Sequence, residues 1–148
     1  VSAVSIPIIW VVLHIVKALS SMPGGVLSDQ IGRKKVIILG WIMYALVYAA
    51  FALSSSAWQA WGLFAFYGFY FGLTEGVEKA FVADLVKPEM RGLAYGVFNF
   101  AVGIGALPAS IIMGVLWHRV SPGAAFLFGA TVALLASLLL FGVKERKI

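Results

Sequence analysis

The run IILGWIMYALVYAAFAL, residues 37 to 53, stays apolar on every face of any regular secondary structure. A transmembrane β-strand would instead alternate apolar and polar residues over about 10 positions, so the run predicts a helix. Roughly 20 apolar residues in a helix cross about 30 Å of hydrocarbon. The run therefore indicates a helix that spans a membrane.

The composition of the whole chain agrees with a lipid environment. The 148 residues are 62% hydrophobic and only 11% charged. A soluble domain averages about 45–50% apolar and about 25% charged residues, so soluble enzymes and nucleic-acid binders are excluded as classes. The net charge of +5 does not indicate nucleic acid either, because the basic residues lie between apolar segments. The absence of cysteine excludes disulfides and thiolate metal sites.

Five apolar stretches of spanning length occur, separated by short breaks rich in glycine, proline or serine. The predicted spans are about 1–22, 36–54, 57–83, 92–117 and 124–143. The predicted breaks are Pro23-Gly24-Gly25, Ser54-Ser55-Ser56, Lys87-Pro88-Glu89 and Ser121-Pro122-Gly123. The sequence thus predicts an all-α membrane protein with five transmembrane helices in a single membrane domain. Because the chain starts at Val1 and lacks the pattern of a signal peptide, we expect a fragment of a longer protein.

Basic residues between the spans predict the orientation, since cytoplasmic loops retain lysine and arginine. Alternate connections hold eight basic residues against one in the others. The eight are Arg33, Lys34, Lys35, Lys87, Arg91, Lys144, Arg146 and Lys147, and the one is Arg119. We therefore expect a multi-pass protein of the cell membrane with segment 24–35 and the C-terminus in the cytoplasm. Lys34 and Lys35 are interpreted as part of this topology signal.

The first cytoplasmic connection reads GVLSDQIGRKK over residues 25–35. It resembles the signature loop of the major facilitator superfamily, G-x-L-a-D-r-x-G-R-k, with Gln30 where the family often has a basic residue. The glycines, the aspartate and the arginine of the motif all fall in register between two apolar spans. On this resemblance the whole chain is similar to helices eight to twelve, in the C-terminal half of such a transporter. The N-terminal half stays open as an alternative, because the signals that separate the halves are weak.

The resemblance also implies roles for single residues. In the family this loop helps to latch the two halves in the outward-facing state, which assigns gating to Gly25, Asp29, Gly32 and Arg33. Glycines permit close helix approach and a turn at positive φ, and an aspartate can stabilise the positive end of a neighbouring helix. Arg33 requires an acceptor, and we expect Asp84 at the end of the third span to provide it.

Ionisable residues deep in the spans are few and lie on two helices. Each such charge costs on the order of 3 kcal/mol or more in a membrane, so it should face protein or a watery cavity. With one amide on the fourth span, these residues form the predicted transport pathway: His14, Lys17, Glu75, Glu78, Lys79 and Asn99. The alternative is a structural pairing that holds the helices together.

Depth in the membrane suggests how these groups pair. Counting 1.5 Å per residue from predicted helix ends at Met22 and Asp84 places Lys17 level with Glu78 and His14 level with Glu75. We therefore expect Glu78 to pair with Lys17. Glu75, whose neighbour is not permanently charged, is the predicted proton carrier.

The third span also carries small and aromatic residues. Gly68, Gly72, Gly76 and Ala80 repeat every four positions, which predicts a close helix contact. Four aromatic residues of the same span either pack or line a cavity. These are Phe64, Tyr67, Phe69 and Tyr70. The second and fifth spans contain no ionisable side chain apart from tyrosine, and we expect them at the lipid-facing periphery.

The resemblance implies a secondary active transporter that moves a small solute by alternating access, with protons as a candidate coupling ion. Its partners would be a small-molecule substrate, the N-terminal half of the same transporter and the lipid bilayer. We expect no enzyme activity, cofactor or metal, since H-E-x-x-H and G-x-S-x-G motifs are absent. A non-transporting receptor or scaffold on the same fold is the alternative.

Overall fold

A computed structural model describes residues 5–143. Within this range the chain forms five α-helices and one short 3-10 turn, Pro88–Met90, with no strand. The helices are α1 (Ser5–Ile31), α2 (Arg33–Leu53), α3 (Ala57–Asp84), α4 (Arg91–Arg119) and α5 (Pro122–Gly142). The basic tail residues Lys144, Arg146 and Lys147, and the first four residues of the first predicted span, lie outside the described residues. The all-α prediction is confirmed.

Four of the five helices, α1, α2, α4 and α5, are long and apolar enough to cross a membrane. Helix α3 is the exception by composition, because it carries Glu75, Glu78 and Lys79 among its aromatic and glycine residues. Its length of 28 residues equals about 42 Å at 1.5 Å per residue, more than the hydrocarbon core requires. The chain is a multi-pass membrane protein.

The first helix does not end where the sequence predicts. Helix α1 continues through Pro23, Gly24 and Gly25 and ends at Ile31, so the predicted break at 23–25 is wrong. Gly24 allows close contact between helices and does not form a turn. A Cβ built on Gly24 would lie 2.8 Å from the Cα atom of Leu73. Packing against α3 therefore stabilises a helical segment that its local composition disfavours.

The reversal from α1 to α2 takes place at Gly32. Its φ of 98° lies in the left-handed region, which glycine adopts without the steric cost that a Cβ imposes. Ser28 and Gly32 flank the turn with backbone bonds, Gly32 N to Ser28 O at 3.0 Å and Val36 N to Gly32 O at 3.3 Å. The two helices are thus joined by a single residue.

Two of the other breaks are closed by serine caps. The Ser56 hydroxyl accepts from Gln59 N, and the Gln59 side chain accepts from Ser56 N at 3.1 Å, which makes a capping box at the start of α3. The Ser121 hydroxyl accepts from Ala124 N at 3.0 Å, and Pro122 occupies the first turn of α5. Both breaks occur where the sequence predicts them.

Helix α3 lies at the centre of the packing. It runs beside α1 on one side and α2 on another, and α2 in turn packs along α5. Helix α2 was expected at the periphery, yet its Gly40 receives the Thr74 methyl group and its Val36 and Ile37 join Val77 in the buried core. Leu39 and Leu46 on the same helix are 56% and 66% exposed, so α2 packs one face into the bundle and leaves another outside it.

Candidate functional site

The predicted pair of Arg33 and Asp84 is present. Arg33 Nη1 lies 2.7 Å from Asp84 Oδ2 and also donates to the carbonyl oxygen of Ala80 at 2.6 Å. A guanidinium at the carboxyl end of a helix complements the negative end of the helix dipole. Arg33, at the start of α2, thereby fixes the end of α3.

The other residues of the signature segment contribute unequally. Asp29 is largely exposed, and its Oδ1 lies 3.9 Å from Arg33 Nη2, the weaker of the two ion pairs of Arg33. Gly32 makes the turn as expected. Gly25 was expected to permit close helix approach, but a Cβ built on it would meet nothing within 4 Å; Gly24 makes the close approach instead.

Lys34 has a contact that the sequence analysis missed. Its Nζ donates to the carbonyl oxygens of Phe141, at 3.0 Å, and of Val143, and it lies 5.9 Å from the centre of the Phe141 ring. Arg33 and Lys34 therefore bind the carboxyl ends of two different helices, α3 and α5. The sequence signal for this contact was the basic pair at the start of α2. Cations stabilise the carboxyl ends of helices, so such a pair can bind neighbouring helices that end on the same side of the bundle. Which helix ends lie nearby is a tertiary property.

On α1 and α3, Lys17, Glu75 and Lys79 form a charged cluster, called here the charged lattice. Lys17 Nζ pairs with Glu75 Oε2, while Lys79 Nζ lies 3.2 Å from Glu75 Oε1. Lys17 is also 5.5 Å from the centre of the Phe71 ring. The three charged side chains remain 33%, 41% and 51% exposed. Two ammonium groups thus share one carboxylate on an accessible surface of the bundle.

Glu78 has a different environment. It faces α2, where Trp41 Nε1 donates to its Oε1 at 2.8 Å. Across residues 5–143 the structure shows no ion pair to this carboxylate. The predicted pairing of Lys17 with Glu78 is therefore wrong.

Glycine contacts explain the error in register. Cβ atoms built on Gly68 and Gly72 would lie 2.6 Å from Leu13 O and 2.5 Å from Lys17 O. The backbone of Lys17 therefore lies beside Gly72, which is one helical turn from Glu75. The depth estimate failed because it counted from a helix end at Met22, whereas α1 continues to Ile31. The close contact predicted for the small-residue repeat is confirmed at Gly68 and Gly72, and it fails at Gly76, where a Cβ would meet open space.

His14 and Asn99 do not join the charged lattice. His14 is exposed, its Nδ1 donates to the carbonyl oxygen of Trp10 at 2.8 Å, and its ring lies 5.4 Å from that indole. The predicted level pairing of His14 with Glu75 is thus replaced by the contact between Glu75 and Lys17. Asn99 is exposed on α4, a helix with no buried residue. Within residues 5–143, no group of three or more histidine or acidic residues is arranged to hold a metal ion.

A cavity of about 640 Å³ lies between α2, α3, α4 and α5. Five aromatic side chains form one wall: Trp41, Tyr44, Tyr48, Tyr67 and Tyr70. Small residues of α4 and α5 form much of the other: Ala106, Ala109, Ser110, Gly129, Ala133 and Ala136. Of the four aromatic residues left open between packing and cavity lining, Tyr67 and Tyr70 line this cavity, and Phe64 packs 5.2 Å from the Phe51 ring.

Comparison with known proteins agrees with the helical architecture. The family model described as Major Facilitator Superfamily matches residues 1–148. An uncharacterized MFS-type transporter, MJ1317, of Methanocaldococcus jannaschii is 42% identical over 139 residues, which cover 93% of this chain and 35% of that protein. Protein ZINC INDUCED FACILITATOR 1 of Arabidopsis thaliana is 34% identical over 100 residues, 68% of this chain and 20% of that protein. Multidrug resistance protein MdtH of Klebsiella pneumoniae is 30% identical over 114 residues, 74% of this chain and 28% of that protein.

The bundle of long apolar helices is that of a multi-pass membrane protein. The chain belongs to the Major Facilitator Superfamily. It spans about a third or less of the length of the relatives given above. The resemblance noted in the signature segment is therefore confirmed over the full chain.

Proposed function

We propose that this chain is part of a secondary active transporter that moves a small solute by alternating access, and that the charged lattice lies on its transport pathway. The partial exposure of Lys17, Glu75 and Lys79 carries the proposal. Charged groups facing lipid would cost on the order of 3 kcal/mol each, so an accessible cluster implies a watery cavity or a second half against this surface. His14 lies one helical turn from Lys17 on the same face, and Asn99 belongs to the pathway only if α4 turns toward it.

The lattice has a chemical use in transport that a closed ion pair lacks. Glu75 accepts from two lysines, so either lysine can release it and bind an anionic or polar group of a solute while the carboxylate keeps one partner. The lattice then adapts its partners between states without leaving a buried charge alone. A small solute with an acceptor group is the substrate class that this arrangement favours.

The sequence analysis assigned proton binding to Glu75, but the two lysine contacts of Glu75 lead us to propose Glu78 as the proton carrier instead. The groups around it are Trp41 from α2 and Tyr70, Glu75 and Lys79 from its own helix. Protonation of Glu75 would weaken its ion pairs with two lysines. Protonation of Glu78 breaks no ion pair in the described chain. If the proton binds Oε2 of Glu78, Oε1 still accepts the hydrogen bond from the Trp41 indole. Proton binding at Glu78 is therefore compatible with an unchanged charged lattice.

Three substitutions of one kind test these roles in the full-length protein in proteoliposomes. A panel of radiolabelled sugars, amino acids and organic acids first identifies a transported solute. We expect Glu78→Gln to abolish uptake driven by a pH gradient while solute exchange continues, and Glu75→Gln to lower both. Glu89→Gln, on the exposed turn after α3, is the matched control and should change neither. An unaltered response to the pH gradient in Glu78→Gln would contradict the proton role.

The orientation belongs to the same proposal. The basic residues of the 24–35 segment favour a cytoplasmic location for the end of the bundle that carries Arg33 and Asp84. A membrane-impermeant maleimide added outside should label a cysteine at Ser55 and not one at Gln30. The opposite labelling pattern would reverse the orientation.

A further inference from the structure

We propose that the tyrosine-lined cavity between α2, α3, α4 and α5 is a second ligand site, and that it binds a hydrophobic organic cation. The volume of about 640 Å³ lies within the range of roughly 300–1,000 Å³ that is typical of small-molecule pockets. The site is distinct from the charged lattice, since none of its lining side chains belongs to that cluster. The proposal therefore does not depend on the transport role of the lattice.

The aromatic wall favours a cation over an anion. Tyr44 and Tyr48 stack with ring centres 4.1 Å apart, and Tyr67 and Tyr70 stack at 6.0 Å, so several ring systems and hydroxyl groups concentrate at one place. The face of an aromatic ring is negative, and it attracts a cation within about 6 Å of its centre. Within the described chain, no charged side chain lines the cavity to compete with this preference.

A carboxyl group lies next to that wall. Trp41 lines the cavity and at the same time donates to Glu78, whose carboxylate has no ion pair within residues 5–143. A cation in the cavity would approach this charge through the indole, in a medium of low dielectric where attraction is strong. Charge complementarity thus selects the sign of the ligand.

A ring that adjoins the aromatic wall already lies close to a cation. Lys17 Nζ lies 5.5 Å from the centre of the Phe71 ring, and that ring is 4.9 Å from Tyr67 and 5.3 Å from Tyr70. The cluster therefore accommodates an ammonium group at one surface with ordinary geometry. The cavity is lined by neighbouring rings, and no lining side chain of the described chain supplies a cation there.

The opposite wall determines the rest of the ligand. Its alanine side chains, among them Ala106, Ala109 and Ala133, offer no hydrogen bonds and little bulk, so a hydrated inorganic cation would lose water on that side and gain only the hydroxyl oxygens of Ser110 and the tyrosines. A cation whose charge is covered by apolar groups, such as a quaternary ammonium or a tetraarylphosphonium, meets both walls without that loss. A lipid chain is neutral and wholly apolar, so it would gain nothing from the attraction of the aromatic rings for a cation.

Tetraphenylphosphonium is the probe, and triphenylphosphine oxide is its neutral counterpart. Binding of each is measured by equilibrium dialysis against the full-length protein in lipid nanodiscs. We expect at least tenfold tighter binding of the cation than of the neutral compound. Equal binding of the two would overturn the proposal and identify an apolar or lipid pocket.

A pair of matched substitutions on α4 locates the binding. Ala109 lines the cavity and Ala101 does not, and both are exposed alanines of the same helix. Ala109→Phe should weaken tetraphenylphosphonium binding at least tenfold, with Ala101→Phe unchanged. Ala133→Phe repeats the test from α5, and thermal unfolding of each variant verifies the fold. Loss of binding in both α4 variants, or in neither of the cavity variants, would place the probe elsewhere and overturn the assignment.

Discussion

Helices α3 and α4 are of similar length, but the less apolar of the two is the more buried. Helix α3 has four charged residues within its length, lies between α1 and α2, and buries Gly68, Gly72, Thr74 and Val77. Helix α4 contains an apolar stretch long enough to cross a membrane and has no buried residue. In a bilayer the lipid is as apolar as leucine, so apolar content alone does not decide which helix is buried, and close helix contact relies on small and polar residues.

The largest expected effect tests the close packing of α3. Gly72→Ala should abolish monodisperse folded protein or lower its melting temperature by more than 10 °C, since the added Cβ would collide with the Ser20 hydroxyl and lie 2.5 Å from Lys17 O. Gly76→Ala is the control on the same helix, where the Cβ meets open space. Fluorescence-detected size exclusion and thermal melting measure both. Equal stability of the two variants would mean that α1 and α3 do not pack as described.

A smaller effect is expected on the aromatic side of α3. Trp41→Phe keeps most of the ring but removes the donor to Glu78, which should cost about 1–3 kcal/mol because a half-buried carboxylate loses its hydrogen bond. Trp58→Phe, at an indole that is 85% exposed, should leave the stability unchanged. The measurement is the free energy of unfolding in a mild denaturing detergent. A loss of the same size in both variants would show that the indole rather than its hydrogen bond matters.

The salt bridge at the end of α3 should contribute less to stability than to conformation. The Arg33 and Asp84 side chains are 29% and 52% exposed, so the pair should be worth about 1 kcal/mol or less. Asp84→Ala should nevertheless shift the balance between outward-facing and inward-facing states, read from the labelling rate of a cysteine in the pathway. Lys35→Ala, an exposed basic residue beside the pair, provides the control. If accessibility and transport both stayed unchanged in Asp84→Ala, the pair would have no gating role.

The smallest effect is expected on α4. A Cβ added at Gly103 meets nothing within 4 Å, so Gly103→Ala should change the stability by no more than the helix propensity gain of about 1 kcal/mol. Thermal melting of the full-length protein measures the change. A clear loss of stability would instead reveal that α4 packs closely against a segment beyond residues 5–143.

The sequence predicts what depends on composition and local spacing. The five helices follow from apolar length, the breaks at Ser56 and Ser121 follow from capping residues, and the pairing of Arg33 with Asp84 follows from two helix ends on one side. None of these requires knowledge of which helix faces lie together. The resemblance to the superfamily then extended the local features to the whole chain.

The remaining features depend on helix register, which local patterns do not encode. Pro23 and Gly24 resemble a helix end, but contact with Leu73 continues the helix through them. Because α1 is longer than predicted, the depths counted from Met22 were wrong. Lys17 therefore pairs with Glu75 and not with Glu78. The contacts of Lys34 and the tyrosine cavity were missed for the same reason, because both require α5 to be placed against α2.

The one-residue connection at Gly32 makes α1 and α2 a mechanically coupled pair. A connection of one residue places only two soft backbone dihedrals between the helices, far fewer than a longer loop would. Since one residue advances a helix by about 100°, inserting a residue here would turn Arg33 away from α3 and Lys34 away from α5 together. A rotation of α1 that passed through Gly32 would therefore act on the ends of α3 and α5 together, through Arg33 and Lys34.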